Sequence, residues 1–382
     1  MDTMFEYLKW RSDLTFNKSK LNEVDFALFS QIILTPFTLF IDMSIFNDNE
    51  YTLEKLSQLT KQHKDKFVKK MGLITPPEIL DIVIQMGESP RFKDLVIHSY
   101  ISDICINREV QFTAMTIDLD ESTRVIVYSG TDDNLISWKE DFNMMFTYPT
   151  EAQKSSIKYL EMNYGKEKTY VVGHSKGGNL AIYSTLNVSE EVFNTISKVY
   201  CFDAPGLSEQ VELNKENKRR FKKIYGYAPQ TSIIGRLFYH YENDVIVNSG
   251  NLGLYQHDLL SWEVERDHFK RLEKRDSDCV HIENKISGML DKMSPVIKEE
   301  FVEIGYGLFM RTNAGTLTEA YNSKMEIVKQ YMNIKKEDRK ILENILFELF
   351  MDKIVVKNVY FIVKETLEKT KVKKKYIKSN EK

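Results

Sequence analysis

Cysteine is scarce in this chain, with only Cys105, Cys201 and Cys279 among 382 residues. An odd number at wide spacing excludes a disulfide framework. Cys105 and Cys201 lie in apolar surroundings, so buried free thiols are expected. Proline is scarce too, at eight residues, and 42% hydrophobic with 29% charged residues excludes a fibrous or disordered chain. Neither sign of charge dominates: 53 Lys and Arg stand against 56 Asp and Glu, interleaved to a net charge of -3. That balance argues against nucleic acid or an anionic surface as partner. No Cys/His ligand cluster and no Gly-x-x-x-x-Gly-Lys-Ser/Thr phosphate loop is present, so no metal or organic cofactor is expected.

Long hydrophobic runs are also missing. The most apolar stretch, Phe26 to Ile41, is shorter than the roughly 20 residues a bilayer span needs and carries Gln31 and Pro36. It reads as a buried helix, so no integral membrane span is expected. The opening residues Met1 to Glu6 lack a basic stretch followed by an apolar run, which makes a cytoplasmic location the default expectation.

What is present falls into three segments. Residues 1–90 read as helical and packed on the core, with a capped start at Thr52 and a break at Pro76-Pro77. Residues 91–275 have α/β texture. Phe112 to Leu119 and Arg124 to Tyr128 form strands around the turn Asp120-Glu121-Ser122. Helices then alternate with short apolar strands: a helix near Thr150 to Tyr164, strand Thr169 to Val172, a helix from Lys176, and strands Lys198 to Phe202 and Leu237 to His240. This order predicts an α/β fold with a mostly parallel sheet covered by helices on both faces, whose ligands bind beyond the strand carboxyl ends. Residues 276–382 turn helical again. Ser294-Pro295 opens one amphipathic helix with Ile297, Phe301, Ile304 and Leu308 on one face; Ile341 to Phe350 forms a second, and Lys371 to Tyr376 is a basic tail. Oligomeric state is not legible.

The chemistry concentrates in Tyr170-Val171-Val172-Gly173-His174-Ser175-Lys176-Gly177-Gly178-Asn179. A serine between two glycines, after a strand and before a helix, lets the backbone turn sharply and lifts the hydroxyl to the strand end. The helix N-terminus and the Lys176 amide then lie beside any oxyanion formed on attack. A serine nucleophile needs a base and an acid that follow it in the chain. His257, His268 and His281 remain open as the base, while His240 reads as a residue of an apolar strand. For the acid, Asp244 after the strand ending near His240 is favoured over Asp203 in Phe202-Asp203-Ala204-Pro205-Gly206. Gly130 and Thr131, after the strand ending at Tyr128, are candidates for a second oxyanion donor, with Gly130 expected to supply an unusual backbone.

These motifs together, including Trp138 to Met144 and Gln256-His257-Asp258, resemble the DUF2974 (Mbeg1-like) family of α/β-hydrolase-like bacterial proteins, which is similar to class 3 lipases. The resemblance runs from about Phe92 to Phe269. It implies Ser175 as nucleophile, Asp244 as acid, His257 as base, and Thr131 with the Lys176 amide as oxyanion hole. One departure is Ser129, where the lipases commonly carry arginine before Gly-Thr. The implied activity is hydrolysis of a small-molecule or lipid carboxylic ester through an acyl-enzyme. The alternatives are a non-catalytic binding or regulatory module on the same scaffold, or a thioesterase, peptidase or acyltransferase using the same residues.

Overall fold

Period-two alternation in the central strands sends successive side chains into two separate cores. In β4 (Thr123–Tyr128), Val125 and Val127 enter one and Ile126 and Tyr128 the other. A computed structural model describes residues 1–43, 51–72, 74–241 and 243–350 of the chain. Its main sheet has eight strands in sequential order: β1 (Tyr51–Thr52), β2 (Val96–Cys105), β3 (Val110–Asp118), β4, β5 (Lys168–His174), β6 (Ile196–Phe202), β7 (Ile224–Pro229) and β8 (Asn243–Val247). The first four strands pair antiparallel, and β4 to β8 run parallel.

The amino-terminal helices α1 (Met4–Arg11), α2 (Glu23–Ile32), α3 (Leu53–Gln62), α4 (Lys64–Lys70) and α5 (Ile79–Glu88) precede the parallel strands. Of these, α1, α2, α3 and α5 share a core with Val125, Val127, Val172 and Phe202. The centre of that face is Phe26 of α2, stacked on Tyr200 at 4.2 Å between ring centroids and tilted on Tyr170 at 4.9 Å. The buried helix expected over Phe26–Ile41 ends at Ile32, and the remaining stretch is buried or half-buried except at Thr38 and Leu39, which are exposed; among the described residues no helix is long and apolar enough to cross a membrane. On the opposite face lie α7 (Glu151–Asn163) and α8 (Lys176–Asn187), with Leu160, Leu180 and Ile182 against Val171, Val199 and Cys201. Between β4 and α7 comes α6 (Leu135–Asn143); α9 (Glu190–Thr195) and α10 (Lys215–Phe221) connect the later strands. A sheet with helices on both faces and a sharp β5–α8 turn is an α/β-hydrolase-like fold.

Three sequence expectations change. Leu237 to His240 is not a strand: Phe238 takes a positive φ of 71°, and the segment meets the 206–207 backbone through an isolated bridge, with paired Tyr239 and Leu207 bonds and Gly206 N donating to Leu237 O. Strands β7 and β8 instead come before and after it. Cys105 is only half-buried, whereas Cys201 and Cys279 are buried; all three are free thiols.

After β8, α11 (Ser277–Lys292), α12 (Pro295–Met310), α13 (Leu317–Asn322), α14 (Lys324–Asn333) and α15 (Lys336–Phe350) follow. Ser294 caps α12 by accepting from Ile297 N, with Pro295 at the first position. Phe301, Ile304 and Leu308 pack on Leu342 of α15, while Ile297 stays exposed. The segment before α13 pairs with the loop after β4: Leu135 N donates to Gly315 O at 3.0 Å and Leu317 N to Asp133 O at 2.8 Å. The basic tail Lys371 to Tyr376 lies outside the described residues.

The amino-terminal layer is held by one buried ion pair. Arg91 donates to both Asp25 oxygens (2.9 and 2.5 Å) and to the carbonyls of Leu14, Ser19 and Lys20; Tyr7 donates to Asp25 at 2.8 Å. Both charged side chains are fully buried. Removing one partner strands the other charge, so Arg91→Ala is expected to cost about 3–5 kcal/mol in urea unfolding. Removing the exposed Lys61–Glu88 pair by Lys61→Ala should cost at most about 1 kcal/mol. Equal losses for the two variants would contradict this account.

Candidate active site

Ser175 joins β5 to α8 with φ 56° and ψ -127°, a conformation that costs a non-glycine residue about 1–3 kcal/mol. The surrounding backbone compels it. Ser175 N donates to Phe202 O at 2.9 Å, and Ser175 O accepts from Gly178 N at 3.0 Å and Asn179 N at 3.3 Å. The flanking glycines make the turn possible: a Cβ on Gly173 would lie 2.1 Å from the Gly177 carbonyl carbon, and one on Gly177 would lie 2.2 Å from Tyr128 O. Neither position admits a side chain. Ser175 itself is partly exposed at the carboxyl end of the sheet.

The hydrogen bond to Phe202 brings the end of β6 beside the Ser175 turn, and the next residue is Asp203. This residue is buried and also left-handed, at φ 43°, a region aspartate tolerates better than most residues. Its Oδ1 accepts from Ser232 Oγ at 2.5 Å, and its Oδ2 lies 2.6 Å from His257 Nδ1. His257 ends a 3-10 turn, Gly253–His257. Its neighbour Gln256 anchors that turn by accepting from Thr231 N at 2.8 Å and donating to Asn251 O at 2.7 Å, and Trp262 Nε1 donates to the Gln256 carbonyl at 2.7 Å.

The carboxylate that meets His257 is therefore Asp203, in place of the expected Asp244. The misplaced strand explains the correction. Asp244 lies inside β8, paired with Gly226 of β7, and Gly226 pairs with Cys201 of β6. Asp244 thus stands two residue levels short of Asp203 along the sheet and two strands further out. Among the other histidines, His268 lies in a two-stranded ribbon beside Asp267 and His281 lies in α11. His240 lies in a loop with Nε2 3.1 Å from Leu237 O.

His174, next to Ser175 in the turn, is a residue that the sequence did not single out. Its ring lies against that of His257, with centroids 4.6 Å apart and planes at 37°, and its Nε2 is 2.8 Å from the His257 carbonyl oxygen. Burial, with the nearby His257 ring, pushes its pKa down to about 3, so it is neutral at physiological pH.

The expected oxyanion residues border Ser175 from two sides. As the first residue of α8, Lys176 has an amide without an intrahelical acceptor. Its side chain runs the other way, buried, donating to Glu140 Oε2 at 2.6 Å and Gln111 O at 2.9 Å. Glu140 is otherwise satisfied by the amides of Gln111 and Ala152. From the other side, a Cβ on Gly130 would lie 3.5 Å from Ser175 Cβ, which measures how closely that loop approaches. Gly130 does so without a positive φ, so its use is close approach and not the unusual backbone that was expected. The Thr131 hydroxyl is engaged elsewhere, donating to Asp141. Among the described residues no His, Cys, Asp and Glu cluster suited to a metal occurs.

Two expectations follow from this charge layer. Lys176→Met keeps the backbone but strands Glu140, and should lower stability by about 3–5 kcal/mol in urea unfolding; wild-type stability would contradict the pairing. Asp141 is held above its ordinary pKa, at about 6, by burial, against the pull of Lys176 and Thr131. A carboxyl raised in the folded state favours folding below its unfolded pKa of about 3.9 and loses that advantage as pH rises through its folded value. The stability of wild type minus that of Asp141→Asn should therefore fall between about pH 4 and pH 6, and a difference that rises or stays flat would contradict it.

A comparison with curated proteins finds none that matches the chain. A family model described as Mbeg1-like matches residues 86–307, which spans β2 to β8 together with Ser175, Asp203 and His257. With more than half of its 382 residues matched, the chain belongs to the Mbeg1-like family.

Proposed function

We propose that the protein is a serine hydrolase that cleaves carboxylic esters, lipid esters among them, through an acyl-enzyme on Ser175. The observation that carries this reading is the 2.6 Å contact between Asp203 and His257, formed at the strand end that Ser175 N also binds. A buried carboxylate on Nδ1 sets the imidazole tautomer, so that Nε2 is the basic nitrogen. His257 Nε2 then takes the Ser175 proton as Oγ attacks the ester carbonyl. The tetrahedral oxyanion is met by the amides of Lys176 and Thr131 and by the positive end of α8. The protonated His257, stabilised by Asp203, returns its proton to the departing alkoxide. Water, activated by the same nitrogen, releases the acid and frees Ser175. The ester class, with lipids included, rests on the similarity of the motifs to those of class 3 lipases.

The reading is tested with a fluorophosphonate probe and p-nitrophenyl esters of increasing chain length. Ser175→Ala should abolish labelling and hydrolysis. Asp203→Asn should slow ester hydrolysis by about 10⁴-fold, because it presents the wrong tautomer of His257. Asp244→Asn should leave the rate near wild type. Labelling that persists in folded Ser175→Ala would point to another nucleophile, and a larger loss for Asp244→Asn than for Asp203→Asn would restore Asp244 as the acid.

A further inference from the structure

His174 combines three features that the reaction above does not use: it immediately precedes the nucleophile, it is uncharged, and it touches His257 twice. The carbonyl of His257 is solely an acceptor, so the 2.8 Å contact requires the proton of His174 to reside on Nε2. A neutral imidazole protonated at Nε2 is a donor there, and its burial keeps it from taking a second proton. The ring also packs on the His257 imidazole at 4.6 Å.

We infer that His174 is a positioning residue that holds the backbone and ring plane of His257 for proton transfer at Ser175, an inference that rests on the serine hydrolase reading. Asp203 holds the His257 ring by its Nδ1, and the Gln256 and Trp262 bonds anchor the turn one residue earlier, at Gln256, so neither fixes the His257 carbonyl itself. His174 supplies the second anchor, on the carbonyl, from a residue rigidly attached to Ser175. Base and nucleophile are thereby referenced to the same turn, so that a displacement of β5 moves both together. Neutrality matters to this arrangement. A charged His174 would repel the His257 imidazolium that forms during acylation, whereas a neutral ring packed on it does not.

The test compares His174→Phe, which keeps an apolar ring, with His174→Gln, whose terminal amide nitrogen replaces the Nε2 donor. The fluorophosphonate labelling rate of Ser175, the melting temperature and the low-field Nδ1 proton resonance of His257 are measured for each. The expected result is a loss of about tenfold in labelling rate for His174→Phe at unchanged melting temperature, and recovery of most of it in His174→Gln. The His257 resonance should broaden or disappear in the Phe variant and return in the Gln variant. Wild-type labelling by folded His174→Phe, or equal loss in both variants, would overturn the positioning role. If wild type itself is not labelled, the hydrolase reading fails separately. The His257 resonance then decides the positioning role: loss in Phe with return in Gln supports it, and an identical signal in all three proteins overturns it.

Discussion

The site depends on one backbone hydrogen bond, from Ser175 N to Phe202 O. A residue at φ 56° and ψ -127° is not a resting state of an L-amino acid, and it persists only where neighbouring structure outweighs its cost. Here the carboxyl ends of two adjacent parallel strands supply that structure. The bond ties the turn at Ser175 to the end of β6, where Asp203 is the residue after Phe202. Glycines at 173 and 177 are the sequence's side of the bargain, since any Cβ there would enter the backbone of the next segment.

Around this turn each functional element is tied to a buried partner. Asn179, one turn into α8, donates to Gly206 O at 2.7 Å and so anchors the loop that follows Asp203. Lys176 divides its roles: its amide is left without an intrahelical acceptor at the open end of α8, and its ammonium is spent on Glu140 beneath. The loop carrying Gly130 and Thr131 is held from outside as well, by the antiparallel contact with the segment before α13. The carboxy-terminal helices are therefore not a remote appendage. They touch the loop that borders Ser175 two residues beyond Thr131.

What could be read from the sequence was local. Gly173 to Gly178 declares its turn because strand, glycine spacing and helix all lie within a dozen residues, and β3 to β6 declare themselves by apolar runs buried on both faces. The failures share a cause. Strand β7 reads Ile-Tyr-Gly-Tyr-Ala-Pro, with glycine and proline that discount it, whereas Leu237 to His240 has the composition of a strand but forms an isolated bridge to the 206–207 backbone and belongs to neither sheet. Misplacing that strand made Asp244 look like a strand-end carboxylate and left Asp203 second. The contact between Asp203 and His257 joins positions 54 apart, and His174 reaches 83 residues along the chain to the His257 carbonyl. Register across a sheet decides such pairs, and no periodicity encodes it.

The most direct measurement is a crystal structure of the protein after reaction with a fluorophosphonate. The account predicts phosphorus bonded to Ser175 Oγ, a phosphoryl oxygen within hydrogen-bond reach of the Lys176 and Thr131 amides, and His257 still joined to Asp203. An unreacted Ser175, or a phosphoryl oxygen directed away from both amides, would contradict it.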